Sequence, residues 1–144
     1  MPSFRATVTS DLSPDEAFAY MARFSNAAEW DPGVIAAEEE PPGPPALGSH
    51  YRLRIGFLGR QLPLDYRITE IEEPRRVVLQ AENSMVRSTD TIEVSPCPGG
   101  GSSVRYDADL APKGPYIVLA PLLGVAFRRI GARAVAGLQE ALGS

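Results

Sequence analysis

The C-terminal segment, residues 115–142, constrains the fold of this chain more than any other part of its sequence. Apolar residues recur there at intervals of three and four, the spacing that places side chains on one face of an α-helix. The residues on this face are Tyr116, Leu119, Leu123, Phe127, Ile130, Ala134, Leu138 and Leu142. A helix of about 25 residues is roughly 37 Å long. Such a helix can lie across a whole antiparallel sheet, and a gap between the helix and the twisted sheet would suit an apolar ligand.

Seven segments upstream of this helix alternate between apolar and polar residues, which is typical of β-strands with one buried face. They span residues 3–10, 34–40, 48–57, 62–69, 76–82, 85–94 and 104–110. Short turns join consecutive strands, so we expect an antiparallel meander that is covered on one side. Two short helices, one opening at Ser13 and one over residues 26–30, separate the first two strands. The sequence therefore predicts a single α+β domain over residues 1–144, with the C-terminal helix covering the sheet.

Composition and motifs exclude several classes of function. The 144 residues carry a net charge of −4 and a pI near 5.0, which argues against a nucleic-acid binder. Cys97 is the only cysteine, so we expect no disulfide framework and no cysteine metal site. No signal peptide is visible and residues 116–127 are too few to span a bilayer, which favours a cytoplasmic protein without a transmembrane segment. The sequence has no phosphate-binding loop, and the one histidine, His50, is predicted on the outer face; we expect no cofactor and no metal.

Five motifs together resemble a known family. They are SPDEAF at 13–18, NAAEWDPGV at 26–34, GSHY at 48–51, EEPRRV at 72–77 and GGSSVRY at 100–106. With them the chain resembles the START-like, Bet v 1-like superfamily, and within it the bacterial polyketide cyclase/dehydrase (SRPBCC) group. The resemblance covers nearly the whole chain. It implies a helix-grip fold, in which a seven-stranded antiparallel sheet wraps round the last helix and leaves a cavity between them.

The wall of such a cavity would come from inward-facing strand residues and from the apolar face of the helix. By parity and helical spacing the predicted ligand-binding residues are Tyr51, Leu53, Ile55, Tyr66, Met85, Asp90, Tyr106, Leu119, Leu123 and Phe127. Trp30 is expected to close the end of the fold beside the cavity. The alternative is that these side chains simply pack the core. The tyrosines favour a pocket, because buried hydroxyl groups require a hydrogen-bond partner.

Asp90 is the least expected residue on the inner face. It shares its parity with Ile92 and Val94, and an unpaired carboxylate there costs several kcal/mol. One interpretation is a ligand anchor, or a general base with a raised pKa, acting together with Tyr66 and Tyr106. The other is that a bulge or strand end exposes Asp90, or that Arg87 or another arginine pairs with it.

Two functions are consistent with these patterns. The first is the binding of a hydrophobic small molecule, lipid-like or polyketide-like, by a carrier or sensor. The second is a polyketide cyclase/dehydrase-type enzyme that acts on a ligand held in the same cavity. The segment over residues 116–127 is apolar on nearly all sides. Its outer surface could form a homodimer interface, cover a mouth of the cavity or touch a membrane surface, and a third function is then a structural or accessory subunit that docks through it.

Overall fold

A computed structural model of the chain describes residues 3–40, 42–57 and 59–142, and it has the predicted α+β architecture. Strand β1 (Ser3–Ser10) is followed by helix α1 (Pro14–Ala22), a 3-10 turn (Phe24–Asn26) and helix α2 (Ala27–Trp30). Then come β2 (Val34–Glu40), β3 (His50–Phe57), β4 (Arg60–Glu72), β5 (Arg76–Glu82), β6 (Val86–Pro96) and β7 (Ser102–Pro112). A second 3-10 segment (Gly114–Leu119) leads into helix α3 (Ala120–Ala141).

The seven strands form one antiparallel sheet in the order β1-β7-β6-β5-β4-β3-β2. Strands β2 to β7 are a meander of consecutive neighbours, and β1 returns to pair with β7. The two short helices and α3 lie on the same face of this sheet, because the inward positions of the strands are apolar and their outward positions are charged. The predicted helix-grip fold class is thereby confirmed.

Local sequence explains where the first helix begins. The Ser13 hydroxyl accepts a hydrogen bond from the backbone N–H of Glu16, and the Glu16 carboxylate accepts one from the backbone N–H of Ser13. This reciprocal pair satisfies two N–H groups that have no partner inside the helix. Pro14 occupies the first turn, where a missing N–H is tolerated.

The C-terminal helix is shorter than the sequence pattern predicts. Residues 115–119 belong to the 3-10 segment, and the α-helix begins at Ala120. Pro121 explains this difference, because proline lacks the N–H that an interior helical position needs and is tolerated in the first turn. The 22 residues of α3 span about 33 Å. The strand predicted over residues 85–94 also begins one residue later, at Val86.

Two glycines allow α3 to approach its neighbours closely. A Cβ atom on Gly137 would lie 1.9 Å from the carbonyl oxygen of Trp30 in α2, and one on Gly131 would lie 2.2 Å from the Phe4 ring in β1. At the end of the helix, the buried Ser10 hydroxyl donates a hydrogen bond to the carbonyl oxygen of Leu142, at 2.9 Å. The second half of α3 is therefore held against β1 and α2.

The outer surface of the segment that leads into α3 remains apolar, as the sequence indicates. Ile117 and Val118 of this segment, and Val125 in the first half of α3, are exposed side chains. A homodimer through this surface stays a prediction. In the part of the chain that the structure describes, no helix is long and apolar enough to span a membrane.

Candidate functional site

Four polar side chains form a hydrogen-bonded chain on the concave face of the sheet. The hydroxyl groups of Tyr66 (β4) and Ser88 (β6) lie 2.9 Å apart. The Ser88 hydroxyl donates to Asp90 Oδ1 at 3.3 Å, and the Tyr106 hydroxyl (β7) donates to Asp90 Oδ2. The chain Tyr66–Ser88–Asp90–Tyr106 thus crosses the middle of the sheet.

Strand register brings these side chains together. Ser88 and Asp90 are two residues apart on β6, so both point inward. Ser88 lies opposite Ala81 of β5, whose small side chain leaves room for Tyr66 to reach across from β4. Asp90 lies opposite Ala108 of β7, and Tyr106 is two residues along that strand. Small residues beside large polar ones are what allow the chain to form.

Asp90 is almost fully buried, with 3% of its surface exposed. Arg87 does not pair with it, because the Arg87 guanidinium lies 2.5 Å from Glu82 instead. Burial raises the pKa of Asp90 to about 7, against the opposing effect of hydrogen bonds from Tyr106 and Ser88. The charge of Asp31 raises this pKa further. Near neutral pH the carboxyl group can therefore take up or release a proton.

Burial also raises the pKa of both tyrosine hydroxyl groups well above their ordinary value, and the negative charge of Asp90 adds to the effect. Tyr66 and Tyr106 therefore stay protonated at any physiological pH. They act as hydroxyl groups that can donate or accept a hydrogen bond.

An apolar cleft of about 50 Å³ lies beside this chain, between β1, β7, α2 and α3. Its walls are Phe4, Ala6, Trp30, Asp31, Tyr106, Ala108, Gly131, Ala134, Val135 and Leu138. The Trp30 and Tyr106 rings meet edge to face with centroids 5.4 Å apart. The cleft is partly open to solvent and much smaller than the roughly 300–1,000 Å³ of pockets that enclose a whole ligand. It has room for a group of a few heavy atoms.

The predicted site residues do not all lie at this cleft. Trp30 and Tyr106 line it, whereas Asp90 lies behind Tyr106 and Tyr66 lies one hydrogen bond farther along. The Tyr66 ring meets Phe24 edge to face, with centroids 4.9 Å apart. Their roles toward a ligand stay predictions.

The remaining predicted residues lie elsewhere. Tyr51 and Leu53 are buried core residues of β3, and the Tyr51 hydroxyl has no hydrogen-bond partner in the described part of the chain. Ile55 and Met85 are partly exposed and do not line the cleft. The side chains of Leu119, Leu123 and Phe127 lie outside the described residues. His50 faces outward, 3.4 Å from Asp65.

Sequence reasoning missed two polar residues of the site. Ser88 shares the inward parity of Asp90, so strand alternation was a usable signal for it. Asp31 follows α2 in an irregular segment, where no periodicity predicts the direction of a side chain. Its carboxylate accepts a hydrogen bond from the Gly33 N–H at 2.9 Å, and burial raises its pKa. Within the described ranges no cluster of three or more histidine, cysteine or acidic side chains is arranged to hold a metal ion.

Comparison with known proteins agrees with this architecture. A family model described as polyketide cyclase / dehydrase and lipid transport matches residues 1–143. A START superfamily protein from Mycobacterium smegmatis is similar in structure, with a TM-score of 0.75, 14% identity, and coverage of 97% of this chain and 96% of that one. An aromatase/cyclase from Streptomyces sp. R1128 has a TM-score of 0.78 at 12% identity, over 97% and 92% of the two chains.

A more distant similarity extends to plants. A major latex-like protein from Panax ginseng has a TM-score of 0.64 at 12% identity, over 99% of this chain and 97% of that one. At these identities the structural likenesses establish the fold alone. None of the curated proteins matches the sequence.

Proposed function

Because the chain belongs to the polyketide cyclase / dehydrase and lipid transport family, we propose that it binds a hydrophobic small molecule on the concave face of its sheet. The ligand would be lipid-like or polyketide-like. One end of it would occupy the cleft between β7, α2 and α3, beside Trp30 and Tyr106. In this role the protein is a carrier or sensor.

The observation that carries this proposal is an apolar cleft placed directly beside a buried polar chain. Apolar walls with a few polar groups are typical of small-molecule sites, in which the polar groups fix the orientation of the ligand. Asp90 is costly to keep in the interior, since burial opposes its charge and no described cation pairs with it. A core that served stability alone would gain from an apolar residue at this position.

The dimensions of the cleft indicate how a ligand would sit. A volume of about 50 Å³ admits an end group and not a whole lipid or polyketide. The cleft is partly open to solvent, so the body of the ligand would leave through this open part. The cleft then selects the end group, and the longer apolar part contributes affinity through its buried area.

Filling the cleft is expected to abolish binding. Ala134 lines the cleft, and Ala134→Leu adds three carbon atoms to a space of about 50 Å³. We expect the affinity for any ligand found in a thermal-shift or native mass spectrometry screen to fall at least tenfold, which is about 1.4 kcal/mol. The matched control is Ala136→Leu, because Ala136 is exposed on the same helix. Equal affinities of the two variants would argue against a site at the cleft.

A second candidate, catalysis of the cyclase/dehydrase type, is favoured by the pKa of Asp90. A carboxylate with a pKa of about 7 suits a general base near neutral pH. The Tyr106 hydroxyl lies between the cleft and Asp90, so it would take a proton from the ligand while passing its own to Asp90. The protonated Asp90 would return the proton by the reverse path.

This candidate predicts that Asp90→Asn and Tyr106→Phe each lower turnover of a poly-β-ketone substrate at least 100-fold, the range expected for loss of general base catalysis. Tyr66→Phe removes only the hydroxyl group at the far end of the hydrogen-bonded chain, so it should lower turnover less. Asp11→Asn, an exposed change just after β1, is the control. Turnover that persists in Tyr106→Phe while the variant still binds ligand would exclude this proton path.

A further inference from the structure

We propose that the end group received by the cleft is a hydrogen-bond-donating cation, a protonated amine carried by an otherwise hydrophobic ligand. This inference rests on the proposed binding function and names the chemical class of the ligand. It follows from three features of the cleft: which hydrogen-bonding groups remain free, which rings form its walls, and which charges surround it.

The polar groups beside the cleft are mainly acceptors. The Tyr106 hydroxyl already donates its hydrogen to Asp90 Oδ2, so its oxygen is left to accept. The Asp31 carboxylate accepts one bond from the Gly33 N–H, and its second oxygen can accept another. Among the described wall residues, the indole N–H of Trp30 is the one other polar side-chain group. A ligand group with several N–H donors matches this arrangement better than a carbonyl or a carboxylate does.

Aromatic rings surround the same space. Phe4, Trp30 and Tyr106 all line the cleft, and the Trp30 and Tyr106 rings are inclined by 77° with centroids 5.4 Å apart. Rings at this angle turn faces in two directions. The face of an aromatic ring attracts a cation, by about 0.5–1 kcal/mol when exposed and about 2 when desolvated. Aromatic walls next to a carboxylate are therefore suited to an organic cation.

The charged side chains among the described wall residues of the cleft have one sign. No arginine, lysine or histidine is among these described residues. Asp31 is on the wall and Asp90 lies behind Tyr106, and neither forms an ion pair with a described residue. The charge of Asp31 also raises the pKa of Asp90. A carboxylate ligand would add a third negative group, whereas an ammonium would compensate those already present.

The test compares three probes that share a chain and differ in the end group: n-octylamine, 1-octanol and octanoate. Their dissociation constants are measured by calorimetry at pH 8, above the pKa of about 7 of Asp90. We expect n-octylamine to bind at least tenfold more tightly than 1-octanol, and octanoate to bind most weakly. In Asp31→Asn the amine should lose about tenfold in affinity while 1-octanol changes less than twofold. The asparagine side chain can still accept the Gly33 hydrogen bond, so the turn is retained.

The outcomes distinguish a failure of this inference alone from a failure of the proposed function as well. If 1-octanol or octanoate binds as tightly as the amine, the inference is overturned while binding at the cleft stands. If none of the three binds, both fail. Asp11→Asn, an exposed change just after β1, is the charge control and should leave the order of the three probes unchanged. The comparison of the three end groups on the unmodified protein tests the preference for a cation even if Asp31→Asn does not fold.

Discussion

Raising the pH from 5 to 8 is expected to lower the free energy of unfolding by about 3 kcal/mol through Asp90 alone. Burial raises the pKa of this carboxyl group from an ordinary 3.8 to about 7 in the folded protein. Between those two values the folded state holds a proton that the unfolded state has released. Stability therefore falls as the pH rises toward 7 and levels off above it. This is opposite to the usual effect of an aspartate in an ion pair.

Other groups with shifted pKa values do not reverse this loss of stability between pH 5 and 8. Asp31 also has a pKa raised by burial, so it changes stability in the same direction. Tyr66 and Tyr106 stay protonated in this range because their pKa values are raised well above 10. Hydrogen bonds from Arg23 and Ser25 lower the pKa of Glu39 from 4.5 to about 2. Glu39 therefore stabilises the folded protein above its ordinary pKa and loses this stabilisation only as the pH falls toward 2.

Urea unfolding at several pH values measures this dependence. Asp90→Asn keeps the shape of the side chain without a titrating group, so its stability should vary much less with pH and exceed that of the unmodified protein at pH 8. Asp11→Asn changes an exposed carboxyl group just after β1 that is not among the charges acting on Asp90, and it should retain the full dependence. An Asp90→Asn profile as steep as that of the unmodified protein would mean that Asp90 is not the group responsible.

Gly137→Ala is expected to destabilise the protein by about 2–3 kcal/mol, the range typical of overpacked sites. The new methyl group would lie 1.9 Å from the carbonyl oxygen of Trp30, and a backbone atom cannot rotate away as a side chain can. Helices α2 and α3 would have to separate. This loss exceeds the gain of up to about 1 kcal/mol that alanine brings over glycine inside a helix.

Gly124→Ala on the same helix is the matched control, because a methyl group at this position would have no neighbouring atom within 4 Å. It should stabilise the protein by about 0.5–1 kcal/mol through helix propensity. Thermal and chemical unfolding of both variants measure the difference. If Gly137→Ala is as stable as Gly124→Ala, α3 does not approach the Trp30 carbonyl of α2 as closely as described.

Much of the sheet, and part of the site, followed from the alternation of residues along the strands. A strand turns successive side chains to opposite faces, so the inward direction of Tyr66, Asp90 and Tyr106 follows from their positions along the strands. The same rule applies to Ser88, which shares the parity of Asp90. Alternation fixes the face on which a residue lies, but it does not fix the neighbour across the sheet.

What the sequence did not predict depends on contacts between distant segments. The cleft lies between β1, β7, α2 and α3 because Gly131 and Gly137 let the helix approach Phe4 and Trp30. No local pattern encodes that approach. Asp31 reaches the cleft because of the path that the chain takes after α2. Tyr51 and Leu53 point to the inner face of the sheet, as alternation predicts, but they lie in the core and not at the cleft.

The emission of Trp30 during a ligand titration tests the central claim, that the cleft beside Tyr106 is the binding site, most directly. Trp30 is the only tryptophan of the chain, is 3% exposed and lines the cleft, so all indole emission reports on this one place. A ligand that stabilises the protein is expected to change this emission saturably, and Ala134→Leu should remove the change while Ala136→Leu retains it. A ligand that binds and leaves the Trp30 emission unaltered would contradict the assignment of the site.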